Sequence, residues 1–164
     1  MTWFAQPGQT MAKGVTMKVD GLKELGERLR KLDADVAGRV VRAATAAAAN
    51  VVKKAAIQNA PISSEPHQLG VRKDQIAQPG NLRKNIIIRR LPPGERTATE
   101  EYIVTIRHGS GKVPKDAFYG KFVEFGTTKM PARPFLRPAI DNNVQAAIDA
   151  MKDRIVKRLE KAGV

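Results

Sequence analysis

The chain has no cysteine and few aromatic residues, and each shortage excludes a class of protein or of core. Without cysteine, the 164 residues can form no disulfide scaffold, thiolate metal site or cysteine nucleophile. No apolar run approaches the roughly 20 residues that a membrane span needs. Because aromatic residues make up only 5% of the chain, most of the core has to come from Ala, Val, Ile and Leu.

The length suits one domain with appendages rather than two domains. Residues 1–16 show no hydrophobic periodicity and lack the basic and apolar regions of a signal peptide. They predict a flexible N-terminal arm, followed by a single domain over residues 17–164. We therefore expect a protein that is made and kept in a cytoplasm.

Acidic residues are scarce relative to basic ones. The chain has 29 basic and 16 acidic residues, which gives a net charge of +13. Such a balance favours an anionic partner, most often nucleic acid, through counterion release and long-range attraction. It also keeps a monomer soluble, so composition alone leaves both explanations open.

Hydrophobic periodicity predicts two long amphipathic helices. Leucines recur at helical spacing from Leu22 to Leu32, and the stripe continues through Val36–Ala55, which predicts a helix from about Asp33 to Asn59. Beyond Pro138, apolar residues over 140–159 recur at spacings of three and four. They predict a second long helix near the C-terminus.

Strand signals occupy the middle of the chain. Residues 86–91 and 102–107 are rich in β-branched residues, and the second run alternates apolar with other side chains. They predict an antiparallel hairpin, while the Pro-, Gly- and Ser-rich residues 62–80 predict a long surface loop. The sequence thus predicts an α+β fold, in which two long amphipathic helices pack on a small antiparallel sheet.

Residues 118–138 are the densest stretch, with five of the eight aromatic residues and three prolines. The spacing of Tyr119, Phe122 and Val123 predicts a short aromatic helix over 118–125, which Gly126 ends. The prolines predict a stiff, extended link to the last helix. The stretch can be a corner of the core or a contact surface.

Motifs for catalysis, cofactors or metals are weak. The turn 109–112 ends like a phosphate-binding loop, but Ile106 stands where that motif needs glycine and Val113 where it needs Ser or Thr. His67 and His108 have no ligand partners at metal spacing. The only acid of the aromatic stretch, Glu124, fits an ion pair with a neighbouring Lys121, Lys129 or Arg133. We therefore expect no enzyme, no cofactor and no metal site.

Basic residues precede and follow the predicted hairpin. Aromatic residues are not interleaved with them on the strands, and no helix-turn-helix, zinc-finger or ribonucleoprotein motif is present. The basic residues therefore indicate either sequence-independent attraction to the DNA backbone or a basic face that is simply solvated. The residues predicted to face DNA are Arg83, Lys84, Arg89, Arg90, Arg107 and Lys112.

The aromatic stretch also resembles the signature of a known protein family. Its sequence Tyr119-Gly-Lys-Phe-Val-Glu-Phe-Gly-Thr-Thr-Lys-Met-Pro-Ala-Arg-Pro-Phe-Leu-Arg-Pro-Ala139 closely resembles the signature of a tailed-bacteriophage neck or tail-completion family, typified by the gene 10 product of phage Hong Kong 97. The likeness extends over about residues 17–162, through Val19–Leu25, the helix that ends Asn59-Ala-Pro61, and Gly80–Ile86. The N-terminal arm and an insertion at 62–78 depart from it.

The resemblance implies a structural virion protein with an α+β fold, located where the DNA-filled head joins the tail. It implies a homo-oligomeric ring, for which we expect a hexamer, in contact with other neck and tail proteins and assembled in the host cytoplasm. The alternative is a sequence-independent nucleic-acid-binding module. We expect Tyr119, Phe122 and Val123 to point inward and the segment 126–134 to face another subunit. The predicted subunit interface is Phe125, Thr127, Lys129, Met130, Arg133 and Phe135.

Overall fold

The computed structural model describes residues 22–30, 34–68, 76–96, 99–108 and 116–163. The predicted arm (1–16) and Lys112 lie outside these ranges. The elements are α1 (Leu22–Arg30), α2 (Ala34–Asn59), β1 (His67–Gln68), β2 (Ile76–Ala77), α3 (Asn81–Lys84), β3 (Ile86–Arg90), β4 (Tyr102–Ile106), α4 (Gly120–Phe125), α5 (Leu136–Asp141) and α6 (Val144–Lys161). This mixture of helices and small antiparallel sheets confirms the predicted α+β class.

Helix α2 has 26 residues, and α5, α6 and the β3–β4 hairpin pack along it. Its observed bounds confirm the prediction from hydrophobic spacing. Near its N-terminal end, Val40 and Ala44 form a cluster with Ile155 and Leu159 of α6. Small side chains on α2 let the two helices approach closely, because an alanine leaves little between the backbones. The long C-terminal helix is therefore held along α2 by aliphatic packing.

A second cluster lies at the other end of α2, where the helix meets the sheet. Ala56 and Ala60 pack there with Ile86 and Ile106 of the β3–β4 hairpin and with Phe135. The strands are antiparallel, with Ile86 opposite Ile106 and Arg90 opposite Tyr102, so the predicted hairpin is confirmed.

Helix α4 rests on this hairpin through a glycine. A Cβ atom added to Gly120 would lie 2.6 Å from Ile106 Cδ1 and 2.8 Å from Leu82 Cδ1. Any larger residue there would force the ends of the Ile106 and Leu82 side chains to shift, so glycine allows the close packing. Gly120 thus sets how near the aromatic segment comes to the core.

Two predictions about helix and loop bounds are wrong. The expected single C-terminal helix is two, α5 and α6, with a break at residues 142–143. Asn143 donates its side-chain amide to Ala139 O at 3.0 Å, and such local bonds compete with a continuous helix. The predicted loop 62–80 contains a short ribbon, in which His67 pairs with Ala77.

The expected extended link after α4 begins with a tight turn over residues 127–130. Gly126 ends α4 as predicted, at φ 75°, and a Cβ there would lie 2.7 Å from Ala132 N. The amide of Thr127 then donates to Met130 O at 2.8 Å, and that of Arg133 to Val123 O at 2.8 Å. The chain therefore folds back on α4 before α5 begins.

Helices α4 and α5 are joined by the carboxylate of Glu124, which is only 6% exposed. Its Oε2 accepts hydrogen bonds from the amides of Phe135 (2.7 Å) and Leu136 (2.9 Å), and its Oε1 from that of Arg137 (3.1 Å). These amides belong to the start of α5, where a helix has no acceptors of its own. The predicted ion pair is replaced by this cap.

A second carboxylate, that of Glu100, ties the hairpin loop to α2. Arg90 donates to it through two nitrogens, at 2.6 and 2.7 Å, and Arg42 of α2 donates at 3.3 Å. Arg96 lies 3.7 Å away, and the Glu100 side chain is only 4% exposed. The hydrogen bond from Arg90 is the main cause that lowers the pKa of Glu100 to about 2.

We predict that Glu124→Ala destabilises the protein by about 3 kcal/mol, because it leaves buried amides without an acceptor. Glu124→Gln should fall between wild type and Ala, since one of its two terminal atoms can still accept. Urea unfolding measures the difference. Exposed Glu160→Ala is the control and should change stability by less than about 0.5 kcal/mol. Equal stability of Glu124→Ala and wild type would contradict the cap.

Acid should selectively weaken the Glu100 cluster. Because folding lowers the pKa of Glu100 from 4.5 to about 2, its contribution to stability is complete above about pH 4.5 and is lost as the pH falls toward 2. Thermal unfolding of wild type and Glu100→Gln should therefore differ most near neutral pH and converge in acid. A difference independent of pH would refute the assignment. Glu95→Gln, which disrupts only an exposed pair with Arg89, is the matched control.

Candidate protein interface

Three phenylalanines form an exposed stripe on and just before α4. Phe118, Phe122 and Phe125 follow at spacings of four and three, which places them on one side of a helix, and are 42%, 40% and 76% exposed. We call them the aromatic stripe. The inward orientation predicted for Phe122 is wrong, whereas Tyr119 and Val123 do pack against the core.

The stripe is unusual for a chain with eight aromatic residues. Burying a phenylalanine is strongly favourable, and large exposed apolar patches mark contact sites more often than chance. Lys121 places its Nζ 5.1 Å from the ring centroid of Phe122, so a cation lies against the stripe. The combination suits a protein contact with an apolar centre and a charged rim.

A groove of about 840 Å³ runs along one side of α4. It lies between α4 and residues 61–68, and we call it the 61–68 groove. Its walls include Ile62, Pro66, Tyr119, Phe122 and Met130, with the charged Glu65 and Arg133 also lining it. The walls are mostly apolar, which suits an inserted hydrophobic side chain.

Tyr119 supports the floor of this groove. Its ring meets His67 edge to face, with centroids 5.2 Å apart, and its hydroxyl accepts a hydrogen bond from Asn81 at 3.3 Å. Burial raises the pKa of Tyr119 above its ordinary value. The phenol therefore stays neutral at physiological pH and serves as a packed wall.

A smaller cleft of about 290 Å³ also borders α4, and Phe118 lines both depressions. Lys121 and Phe125 line it, together with Thr105 and His108 at the end of the hairpin. Helix α4 therefore borders two depressions. Phe122 lines the 61–68 groove, and Phe125 lines the smaller cleft.

The predicted subunit-interface residues do not all reach the surface. Phe125, Thr127, Lys129 and Arg133 are exposed, and Met130 is half-buried. Phe135 is 0% exposed and belongs to the core, so it cannot contact another chain as predicted. Both Phe122 and Phe135 occur in the same aromatic stretch, and their roles are the reverse of those expected.

The residues predicted to face DNA have diverse environments. Arg83 donates to Ala60 O at 2.7 Å and Gln58 O at 3.0 Å, and thereby caps the C-terminal end of α2. Arg90 is held by Glu100, and exposed Arg89 pairs with Glu95 at 3.3 Å. Lys84 and Arg107 are exposed.

The sequence did not predict the structural role of two buried asparagines. Asn81 donates to Asp116 O at 2.9 Å, and Asn85 donates to Asn81 O at 2.8 Å. These bonds connect α3 to the residues just before α4. The only available signal was the four-residue spacing of the two asparagines within Gly80–Ile86, which places them on one face of a helical turn.

Across the described ranges, no group of three His, Asp or Glu residues could hold a metal ion. Within the same ranges, no helix has the length and apolar character to cross a bilayer.

The comparisons with known proteins agree with this picture. A family model described as "Bacteriophage HK97-gp10, putative tail-component" matches residues 23–126, more than half of the chain. No match was found among curated proteins or among solved structures. The matched region runs from α1 to the end of α4 and includes the whole aromatic stripe. The chain therefore belongs to the HK97 gp10-like family of bacteriophage tail components.

Proposed function

We propose that the chain is a non-enzymatic structural protein of the virion that connects head and tail. It acts as a subunit of a homo-oligomeric ring at the head–tail junction or the top of the tail. The observation that carries the proposal is the exposed aromatic stripe in a chain that belongs to a tail-component family. The proposed assembly takes place in the host cytoplasm and needs no cofactor.

The stripe has the rigidity that a permanent contact needs. Glu124 fixes α4 to α5, Gly126 allows the tight turn, and Gly120 seats α4 on the hairpin. A surface that is already ordered loses little entropy when it binds, so more of its contact energy appears as affinity. Exposed aromatic anchors in such positions commonly dominate binding energy.

The ring proposal concerns the last residue of the stripe and the turn that follows it. Phe125, Thr127, Lys129, Met130 and Arg133 form the proposed subunit interface. Contacts between different surfaces of neighbouring copies close into a ring when the rotation per copy divides a full turn. We propose six copies, with other neck and tail proteins bound above and below.

The proposed ring surrounds the DNA path without reading sequence. The exposed Lys84 and Arg107 can approach phosphates, and Arg89 can exchange its exposed partner Glu95 for a phosphate. Arg83 and Arg90 are engaged in internal contacts, so the proposed DNA surface leaves them out. The net charge of +13 supports such proximity.

The second candidate is a free, sequence-independent nucleic-acid-binding module. The same net charge of +13 favours it. It leaves the aromatic stripe without a role, because the stripe lies on α4 and not among the basic residues of the hairpin. We therefore place it second.

We predict that the double variant Phe122→Ala and Phe125→Ala gives DNA-filled heads and separate tails that fail to join. Both side chains are exposed, so the variant should keep its fold and lose only the contact energy. Electron microscopy and infectious titre of complemented phage measure the outcome, with circular dichroism as the check on folding. Val156→Ala, which shortens an exposed apolar residue of α6, is the control. Normal titre from the double variant would contradict the proposal.

The DNA contact predicts salt-sensitive binding of the purified protein to duplex DNA. Replacing Lys84 and Arg107 by Ala should reduce the slope of log affinity against log salt by about 2, because each phosphate contact contributes about one. The paired control is Arg154→Ala with Lys157→Ala on α6. No binding at low salt would remove the DNA contact. Tight DNA binding by the monomeric protein would favour the second candidate if variants that lose this binding still assemble phage normally.

A further inference from the structure

We infer that Arg42 of α2 binds a phosphate group of the DNA backbone, beside the end of the hairpin that lies away from α4. This inference rests on the proposed DNA path and adds a contact on α2 to those of the hairpin. The observation that carries it is the guanidinium of Arg42, which Glu100 holds through Nε while, among the described residues, no acceptor bonds to either terminal nitrogen.

Three guanidinium groups surround the single carboxylate of Glu100. Arg42, Arg90 and Arg96 all lie within 3.7 Å of it, and no other acidic side chain of the described ranges pairs with any of the three. Two positive charges are therefore left without a counterion in the part of the chain that the structure describes. Because like charges so close repel each other, binding of an anion there is favourable.

Of the three arginines, Arg42 has the most donors to spare. Arg96 is 10% exposed and donates to two backbone carbonyls, at 2.6 and 3.1 Å. Arg90 gives both Nε and a terminal nitrogen to Glu100. Arg42 gives only its Nε, at 3.3 Å, and its side chain is 48% exposed. Its two terminal nitrogens are therefore available to a ligand from outside.

The chemistry of this group suits a phosphate. The two terminal nitrogens of a guanidinium lie in one plane and can donate to two oxygens of the same phosphate. The bond to Glu100 orients Arg42 before the ligand arrives, so less side-chain entropy is lost on binding. Because Arg90 already pairs with Glu100 through two nitrogens, the carboxylate is compensated and the charge of Arg42 can serve the ligand.

Arg42 lies on a face of α2 that a long polyanion can approach. Val40 and Ala44, two residues to either side, pack against α6. Two residues correspond to a rotation of about 200° on a helix, so Arg42 is on the face away from α6. Arg39, one turn earlier, is also exposed on α2. Residues at this spacing are neighbours on the helix surface, and a DNA strand offers one phosphate per about 3.4 Å of axis, so both can contact the same strand.

The position along the hairpin separates this contact from the aromatic stripe. Arg90 is opposite Tyr102, four residues before Ile106, the residue against which Gly120 of α4 packs. At the rise of an antiparallel strand, four residues span about 13 Å. The cluster is therefore at the other end of the hairpin from α4, and it is next to Arg89, which is already proposed to contact DNA.

Binding of the purified protein to a short DNA duplex over a series of salt concentrations tests the contact. Arg42→Ala should lower the slope of log affinity against log salt by about one, which is the contribution of one phosphate contact. Lys54→Ala is the matched control, because it removes the same charge from the same helix, beside α6, and should leave the slope unchanged. Circular dichroism and thermal unfolding check that both variants are folded.

Equal slopes for Arg42→Ala and Lys54→Ala would overturn the inference, as would a wild-type protein that does not bind the duplex at low salt. Arg42→Lys keeps the charge but not the planar pair of donors. It should therefore keep the wild-type slope and bind at least several-fold more weakly, a result that a purely structural role of Arg42 does not produce.

DNA cleavage from a single position provides a second test that needs no loss of function. The chain contains no cysteine, so Arg42→Cys and Lys54→Cys each give one attachment point for an iron chelate that cleaves nearby DNA. In the purified complex and in assembled particles, cleavage should come from position 42 and not from position 54. No cleavage from position 42, or equal cleavage from both, would overturn the inference.

The inference and the proposed function fail in different ways. Particles that contain the chain at the head–tail junction, with a wild-type salt slope for Arg42→Ala, would overturn the inference and leave the structural role intact. If that variant also prevents heads and tails from joining, Arg42 contacts an acidic protein surface instead of DNA. Absence of the chain from head–tail particles would refute the proposed function, whereas a lowered slope for the purified variant would still support the phosphate contact.

Discussion

The carboxylate of Glu124 lies between two helices that are too short to be stable alone. Helices α4 and α5 have six residues each, and isolated helices shorter than about 12 residues are marginal in water. By accepting three amide hydrogen bonds at the start of α5, Glu124 supplies what that helix lacks and attaches α4 to it. The direction in which the aromatic stripe points follows from this attachment.

The start of α4 is held by packing at Gly120 and by a hydrogen bond from Asn81. Gly120 allows contact with Ile106 and Leu82, and the buried Asn81 holds the carbonyl of Asp116 just before the helix. Arg83, on the same short helix as Asn81, binds carbonyls at the end of α2. The segment Gly80–Ile86 therefore links the longest helix to the aromatic one, which explains why several of its polar residues are unavailable to a ligand.

Hydrophobic periodicity predicted the long helix and the paired strands, whose packing repeats over many residues. It failed where a single side chain determines a helix boundary or an orientation. The bounds of α2 and the pairing of β3 with β4 follow from repeated apolar spacing. The break before α6 does not, because Ile140 and Val144 keep helical spacing across it while Asn143 bonds to the turn behind. The stripe spacing separates Phe122 from Tyr119 but cannot tell which faces the core. Likewise, counting charges could not show that Arg83 and Arg90 bind acceptors within the chain.

The composition of the core explains where the aromatic residues are left. Alanine, valine, isoleucine and leucine fill both hydrophobic clusters, and Phe135 is the one fully buried aromatic residue among those described. The close packing of α2 against α6 needs small side chains, so the core has little room for additional rings. The phenylalanines of α4 therefore lie outside the core. They occupy the outer side of a helix whose inner side is already complete, which is the arrangement expected when the apolar surface is buried by another molecule.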